Sequence, residues 1–76
     1  MPLINVKLIE GVFSTEQKEQ MIGRLTDAMV EIEGENLRGS TWVIVEEVKD
    51  GAWGIGGNPV PAEKVRAAMR GQVKVS

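Results

Sequence analysis

The 76 residues of this chain carry nine Lys and Arg against eleven Asp and Glu, and they include neither Cys nor His. This composition excludes disulfides, cysteine nucleophiles, Ser-His and Cys-His catalytic groups and the usual zinc ligands, and we predict no metal site. A formal net charge of −2 offers no basic surface for nucleic acid. No cationic N-terminal region precedes a long apolar stretch, which predicts no signal peptide, no membrane span and a cytoplasmic protein.

The length of the chain predicts a domain that is marginally stable alone. A domain of this size buries only about 60% of the surface that its unfolded chain exposes. No repeat, linker or low-complexity segment interrupts the sequence, so we predict a single domain over residues 1–76. Small domains gain stability from disulfides, a metal or further subunits. Because the composition excludes disulfides and the usual metal ligands, association with other chains is the remaining source of stability.

The first predicted element is a strand over residues 3–9, LINVKLI, which is rich in branched aliphatic side chains. A helix follows, because Ser14 and Gln17 can form a capping box and Gly34 can adopt the backbone conformation that ends a helix. Three- and four-residue spacing predicts one packing face on this helix, made of Met21, Ile22, Leu25, Ala28, Met29 and Ile32.

A second strand is predicted over residues 41–48, TWVIVEEV, after a break at Gly39 and Ser40. Strand, helix and strand make a β-α-β unit, so the fold class is α/β with a two-stranded parallel sheet and a right-handed crossover. Residues 50–61 contain four glycines and two prolines, which predict a short hairpin or tight loops. A short helix is predicted after Pro61 and ends at Gly71, and the last five residues are either a strand or a frayed tail.

A two-stranded parallel sheet is not stable by itself, and its edges need partners. Two copies could pair edge to edge into a four-stranded sheet with helices on one face, leaving an apolar second face for further copies. The sequence therefore predicts a closed homo-oligomer that is larger than a dimer.

Few residues in this chain can carry chemistry, and Pro2 is the first of them. Methionine aminopeptidase removes an initiator methionine before a small residue, which would expose a secondary amine at Pro2. An α-amino group has a reference pKa of about 8, and burial or nearby cations lower it, so it can act as a base near neutral pH. In the alternative, Pro2 only begins an edge strand, where its missing N–H does no harm. The glycine cluster at residues 54–57 lacks the spacing of phosphate-binding loops.

Several motifs occur in a fixed order: a proline after the initiator methionine, then LIEG, STEQKE, VIVEEV and WGIGG. From Pro2 to about Gly57 this order resembles the 4-oxalocrotonate tautomerase family of the tautomerase superfamily. The resemblance implies a β-α-β protomer, a homo-hexamer built as a trimer of dimers, and no cofactor or metal. It further implies that Pro2, as general base, takes a proton from an enol of a 2-oxo acid and returns it to carbon. Trp53 then matches the aromatic residue, usually Phe, that walls the site and keeps the pKa of the amine low.

The sequence departs from this family's pattern at both of its substrate-binding arginines. The first would follow LIEG, where this chain has Val12 and an apparent extra residue, Phe13, and the second would stand where this chain has Trp42. Arg38 is the candidate replacement, because strand starts share one edge of a parallel sheet and a guanidinium suits a carboxylate; the alternative is a solvated turn residue. The related 3-chloroacrylate dehalogenases carry an acidic residue where this chain has Ile55, so we do not expect dehalogenation.

Two functions follow from these residues. The first is an isomerase for a small 2-oxo acid or its enol, either 2-hydroxymuconate-like or arylpyruvate-like. Trp42 and Trp53 would then form an apolar pocket, which suits an aryl group, and activity would be low without the arginines. The second is a non-catalytic or weakly active subunit, which assembles as a hetero-oligomer with a related chain that supplies the arginines.

Overall fold

A computed structural model describes residues 1–73 of the chain. Its elements confirm the predicted β-α-β fold with a C-terminal hairpin and a short helix. In chain order they are strand β1 (Leu3–Ile9), helix α1 (Thr15–Glu33), a 3-10 helix (Glu35–Ser40), strand β2 (Trp42–Val48), strands β3 (Gly54–Ile55) and β4 (Asn58–Pro59), and helix α2 (Ala62–Met69).

The larger sheet pairs β1 with β2. At one end the Trp42 N–H donates to the Pro2 carbonyl at 2.9 Å, and at the other the Glu10 N–H donates to the Val48 carbonyl at 2.8 Å. The strand starts are paired with each other and so are the strand ends, which makes the sheet parallel as predicted. By contacts between Cα atoms the chain divides into two compact units, and both strands contribute residues to each of them.

The first unit comprises Met1–Val6 and Ser14–Glu46. Helix α1 begins as the sequence predicts, because the Ser14 side chain accepts from the Gln17 N–H and the Gln17 side chain accepts from the Ser14 N–H. Gly34 ends the helix with a φ of +102°, a conformation that favours glycine, and its N–H donates to the Val30 carbonyl.

The packing face of α1 differs from the predicted one. Val30, which the predicted face omits, is the buried residue of the helix, whereas Ile32 is 84% exposed. Leu25 and Met29 are half-buried as predicted, but Ile22 and Ala28 are exposed. The packing face therefore includes Val30 and excludes Ile32, so it covers only some of the apolar positions of the helix.

The second unit comprises Lys7–Phe13 and the described residues from Glu47 onward. Its buried residues are Ile9, Val60 and Ala62. The predicted hairpin is confirmed: β3 and β4 are antiparallel, with Gly54 opposite Pro59 and Ile55 opposite Asn58. Gly56 and Gly57 form the two-residue loop with φ of +58° and +85°, which is the conformation that such a tight loop requires.

One further expectation changes in the structure. β2 begins at Trp42 rather than Thr41, because the six residues before Thr41 form a 3-10 helix that the sequence pattern does not predict. Gln72 and Val73 belong to no strand, and residues 74–76 of the predicted strand or tail lie outside the described residues. Within residues 1–73, no helix is long and apolar enough to cross a membrane.

Candidate functional site

Pro2 lies at the start of β1, where hydrogen bonds hold the N-terminal segment against residues 40–42. The Pro2 carbonyl accepts from the Trp42 N–H, and the terminal ammonium of Met1 donates to the Ser40 carbonyl at 2.6 Å. Pro2 is half-buried, whereas Met1 is 84% exposed. With Met1 attached, the Pro2 nitrogen is an amide and has no basic lone pair. Removal of Met1 would leave a secondary amine at the edge of the sheet.

Trp42, the second predicted site residue, is the cross-strand neighbour of the N-terminal segment. Trp42 is 63% exposed. Leu3 and Ile44 are also exposed and share the sheet surface with it. We call this surface, formed by Leu3, Trp42 and Ile44 in the first unit, the open face. Apolar surface therefore lies beside Pro2, and it can receive an apolar substrate or a second protein chain.

Arg38 precedes β2, but carboxylates already occupy its guanidinium. Its Nε atom donates to Glu35 at 2.9 Å and its Nη1 atom donates to Asp27 at 2.9 Å. The hydrogen bond to Glu35, and next that to Asp27, hold the pKa of the Arg38 guanidinium above its usual value. A substrate carboxylate would have to displace one of these exposed partners. Arg38 stays a candidate whose present contacts are structural.

Glu33 and Thr41 form a polar contact in the first unit that the sequence does not suggest. The Thr41 hydroxyl donates to Glu33 Oε2 and also lies 2.7 Å from the Leu37 carbonyl. The other oxygen, Oε1, is buried without a hydrogen-bond partner among the described residues. The half-buried Glu33 is thus held by Thr41, the residue that precedes Trp42. No local sequence pattern predicts this contact, because Glu33 looks like an ordinary polar residue at the end of a helix.

Trp53, in the second unit, lines a cavity of about 250 Å³, which we call the Trp53 cavity. Aliphatic side chains provide most of its wall: Leu8, Ile9, Ile55, Val60 and Val65. Phe13 adds a second aromatic ring, and Lys7 is the charged residue of the lining. The cavity is large enough for an aromatic ring, since dry apolar cavities of about 150 Å³ take up benzene.

Phe13, the extra residue in the turn after β1, has a defined position in the structure. Phe13 lines the Trp53 cavity, and Ile55, where dehalogenases carry an acid, does so as well. Val12 is half-buried. Where the family has its first substrate-binding arginine, this chain therefore has an apolar turn. Between Met1 and Val73, no group of three or more carboxylates is placed to hold a metal ion.

Comparison with known proteins gives consistent matches over most of the chain. The family model described as tautomerase enzyme matches residues 2–63. The probable tautomerase K2 of Dickeya dadantii is 35% identical over 68 residues, which cover 90% of this chain and 100% of that protein. The crystal structure of DmpI from Helicobacter pylori is 39% identical with a TM-score of 0.68, and the match covers 78% of this chain and 95% of that chain. TomN, a 4-oxalocrotonate tautomerase homologue in the tomaymycin biosynthetic pathway, is 35% identical with a TM-score of 0.69, over 87% of this chain and 95% of that chain.

Proposed function

Since this chain belongs to the tautomerase family, we propose that it is a cofactor-independent isomerase that interconverts the enol and keto forms of a 2-oxo acid, with Pro2 as the base. The predicted resemblance to the 4-oxalocrotonate tautomerase family is confirmed by the matches. The observation that carries the catalytic assignment is the position of Pro2: it begins β1, half-buried, beside exposed apolar surface.

The proposed reaction needs one group that accepts and returns a proton. After removal of Met1, the Pro2 nitrogen takes the proton from the enol hydroxyl and becomes a secondary ammonium ion. The electron pair of the O–H bond forms the carbonyl, and the electrons of the C=C bond take the proton back from Pro2 at carbon. The amine is regenerated and no electrons are gained or lost. A positioned base of this kind contributes about 10² to 10⁴ in rate.

The substrate class follows from the apolar character of the surroundings. Trp42 is exposed beside Pro2, and Trp53 lines a cavity whose other walls are mainly aliphatic. Two carboxylates would find few partners there, because Val12 and Trp42 occupy the places of the family's arginines. We therefore favour an arylpyruvate-like monocarboxylate over a dicarboxylate such as 2-hydroxymuconate.

We propose that assembly into a hexamer completes the site, with Pro2 of one copy and the Trp53 cavity of a neighbouring copy contacting the same substrate. The exposed open face supports association, since it would otherwise leave Leu3, Trp42 and Ile44 in water. Subunit contacts are also one of the sources from which a domain of this length gains stability.

The test combines the intact mass of the purified protein with the ultraviolet assay of phenylenolpyruvate ketonisation. Protein without Met1 should turn the substrate over, and the rate should fall at low pH as the proline amine becomes protonated. Pro2→Ala should lower kcat/KM by about 10² or more, and protein that retains Met1 should be inactive. Pro59→Ala, which changes an exposed hairpin proline, is the matched control. Unchanged turnover in Pro2→Ala would refute the mechanism.

The second candidate is a subunit that no longer catalyses and that pairs with a related chain. The replacement of both family arginines, together with the engagement of Arg38 by Glu35 and Asp27, favours it. Such a chain would be inactive after purification alone, even without Met1, and would gain activity only on mixing with its partner. A homo-oligomer that is active by itself would exclude this function.

A further inference from the structure

The guanidinium of Arg66 lies at the turn after β1, although Arg66 itself belongs to α2. Its Nη1 atom donates to the Gly11 carbonyl oxygen at 3.0 Å, a contact that joins residues 55 positions apart. Gly11 has a φ of +84°, which disfavours any residue with a Cβ atom, so the backbone at this turn depends on glycine. One N–H group of the guanidinium is therefore held by a backbone carbonyl rather than by another flexible side chain.

The hydrogen bond between Arg66 and Gly11 joins two segments that each contribute a residue to the lining of the Trp53 cavity. Val65, which precedes Arg66 on α2, lines the cavity, and so does Phe13, two residues after Gly11. Arg66 does not itself contribute to the lining, and its side chain is 40% exposed. The positive charge thus belongs to the residue next to Val65, a lining residue of this apolar cavity, and it remains hydrated. This arrangement suits a ligand with an apolar body and an anionic end.

Arg66 has the capacity to bind such an anion without leaving the turn. A guanidinium has five N–H donors. Among the described residues, its contacts are one from Nη1 to Gly11 and one from Nη2 to Glu63 at 2.9 Å. The Glu63 side chain is 69% exposed, and exposed ion pairs of this kind contribute little free energy. A ligand carboxylate can therefore replace Glu63 while the Gly11 contact persists.

We propose that Arg66 is the carboxylate-binding residue of the Trp53 cavity, and that its ligand is a monocarboxylate with an aromatic or branched apolar group. This proposal rests on the proposed function, because it takes the ligand to be the 2-oxo acid substrate of the isomerase. Arg66 lies beyond residues 2–63, so the family match does not include it. Lys7, the charged residue of the lining, already takes part in another interaction. A planar guanidinium also offers a carboxylate two parallel donors, which an ammonium cannot.

Calorimetric titration of an unreactive pair of probes, 3-phenylpropanoate and its neutral amide, tests the proposal. Wild type should bind the acid about tenfold more tightly than the amide, because a charge-assisted hydrogen bond is about twice as strong as a neutral one. In Arg66→Gln this preference should fall to less than about threefold, with amide affinity unchanged, and Arg66→Lys should be intermediate.

Arg70→Gln is the matched control, because Arg70 also contacts Glu63, at 3.5 Å, yet has no hydrogen bond to the turn at Gly11. It should keep the tenfold preference. Glu63→Gln removes the competing carboxylate and should tighten binding of the acid severalfold, a gain that misfolding cannot imitate. Equal binding of the two probes by wild type, a preference that survives in Arg66→Gln, or a preference lost only in Lys7→Gln would each overturn the proposal.

The same titration separates this proposal from the proposed function. Pro2→Ala should lose turnover but bind 3-phenylpropanoate as wild type does. If Pro2→Ala retained turnover while Arg66→Gln lost the preference for the acid, the base assignment would fail and the Arg66 site would stand. If Pro2→Ala lost turnover while Arg66→Gln kept the preference, the base assignment would stand and the Arg66 site would fail.

Discussion

At the scale of single residues, the arginines show that sequence position says little about what a guanidinium binds. Arg38 stands just before β2, and topology alone makes it the candidate for a substrate carboxylate. The structure gives it two carboxylate partners, Glu35 and Asp27. Arg66 has no such sequence context, yet the Gly11 carbonyl holds it at the turn after β1. The difference arises because a guanidinium reaches several ångströms from its own backbone.

The pKa of the Glu63 carboxyl group is a direct measure of its contact with Arg66. The hydrogen bond from Arg66, more than that from Arg70, holds the pKa of Glu63 below its ordinary value. A depressed pKa means that ionised Glu63 favours the folded state above its unfolded pKa, and that this contribution is lost as the pH falls through the folded value. We expect a carbon-detected NMR titration to place the midpoint of Glu63 below the ordinary value of a glutamate.

Arg66→Gln should return the titration midpoint of Glu63 toward the ordinary value, and Arg70→Gln should move it less. An unchanged midpoint in Arg66→Gln would mean that the ion pair does not persist in solution. It would leave the guanidinium without its present competitor and raise the expected affinity for an anionic probe.

At the scale of elements, the two helices begin in different ways. α1 carries its own cap, the box formed by Ser14 and Gln17. α2 follows Pro61, which has no side chain able to cap, and the first N–H of the helix at Ala62 instead donates to Asp50 Oδ1 at 3.0 Å. Ala62 is only 1% exposed, so this N–H depends on a residue twelve positions away.

We expect Asp50→Ala to destabilise the folded chain by about 1–2 kcal/mol, because it leaves a buried helix N–H without an acceptor. Asp50→Asn keeps the side-chain oxygen and should cost much less. Urea unfolding of both variants at one protein concentration measures the difference, since association would otherwise shift the apparent stability. Equal stability of Asp50→Ala and wild type would show that another acceptor or water serves Ala62. Because α2 carries Arg66, Asp50→Ala should also weaken binding of 3-phenylpropanoate.

At the scale of the whole molecule, the open face predicts how copies associate. Leu3 is 54% exposed, Trp42 63% and Ile44 38%, a concentration of apolar surface on one side of a two-stranded sheet. Isolated two-stranded sheets are marginally stable, so burial of this face in the proposed assembly would supply both stability and a dry environment beside Pro2.

Ile44→Lys should shift the assembly toward smaller species, because it would place an ammonium in the proposed interface. Sedimentation velocity at several protein concentrations measures the change, and turnover should fall in parallel if assembly completes the site. Gln20→Lys adds the same charge at an exposed helix position and serves as the control. A variant Ile44→Lys with the sedimentation coefficient of wild type would place the interface elsewhere.

The sequence by itself determined the fold to within a few residues. Alternating and helical spacing, the box at Ser14, and the glycine pair at Gly56 and Gly57 are local signals, and each governs the backbone within a few positions of itself. Sequence also determined the family, because the family model matches residues 2–63. It could not predict the 3-10 helix before Thr41, since short helices of that kind depend on how the chain must enter the next strand.

Only the tertiary structure decided which side chains meet. Pro2 could be named as the candidate base from its position, but the cavity around Trp53, the capping of α2 by Asp50 and the contact of Arg66 with Gly11 all join residues far apart in the chain. Such contacts leave no periodic trace in a sequence, because they are fixed by the packing of whole elements and by the reach of flexible side chains. Local spacing therefore specified the elements, and packing specified the chemistry between them.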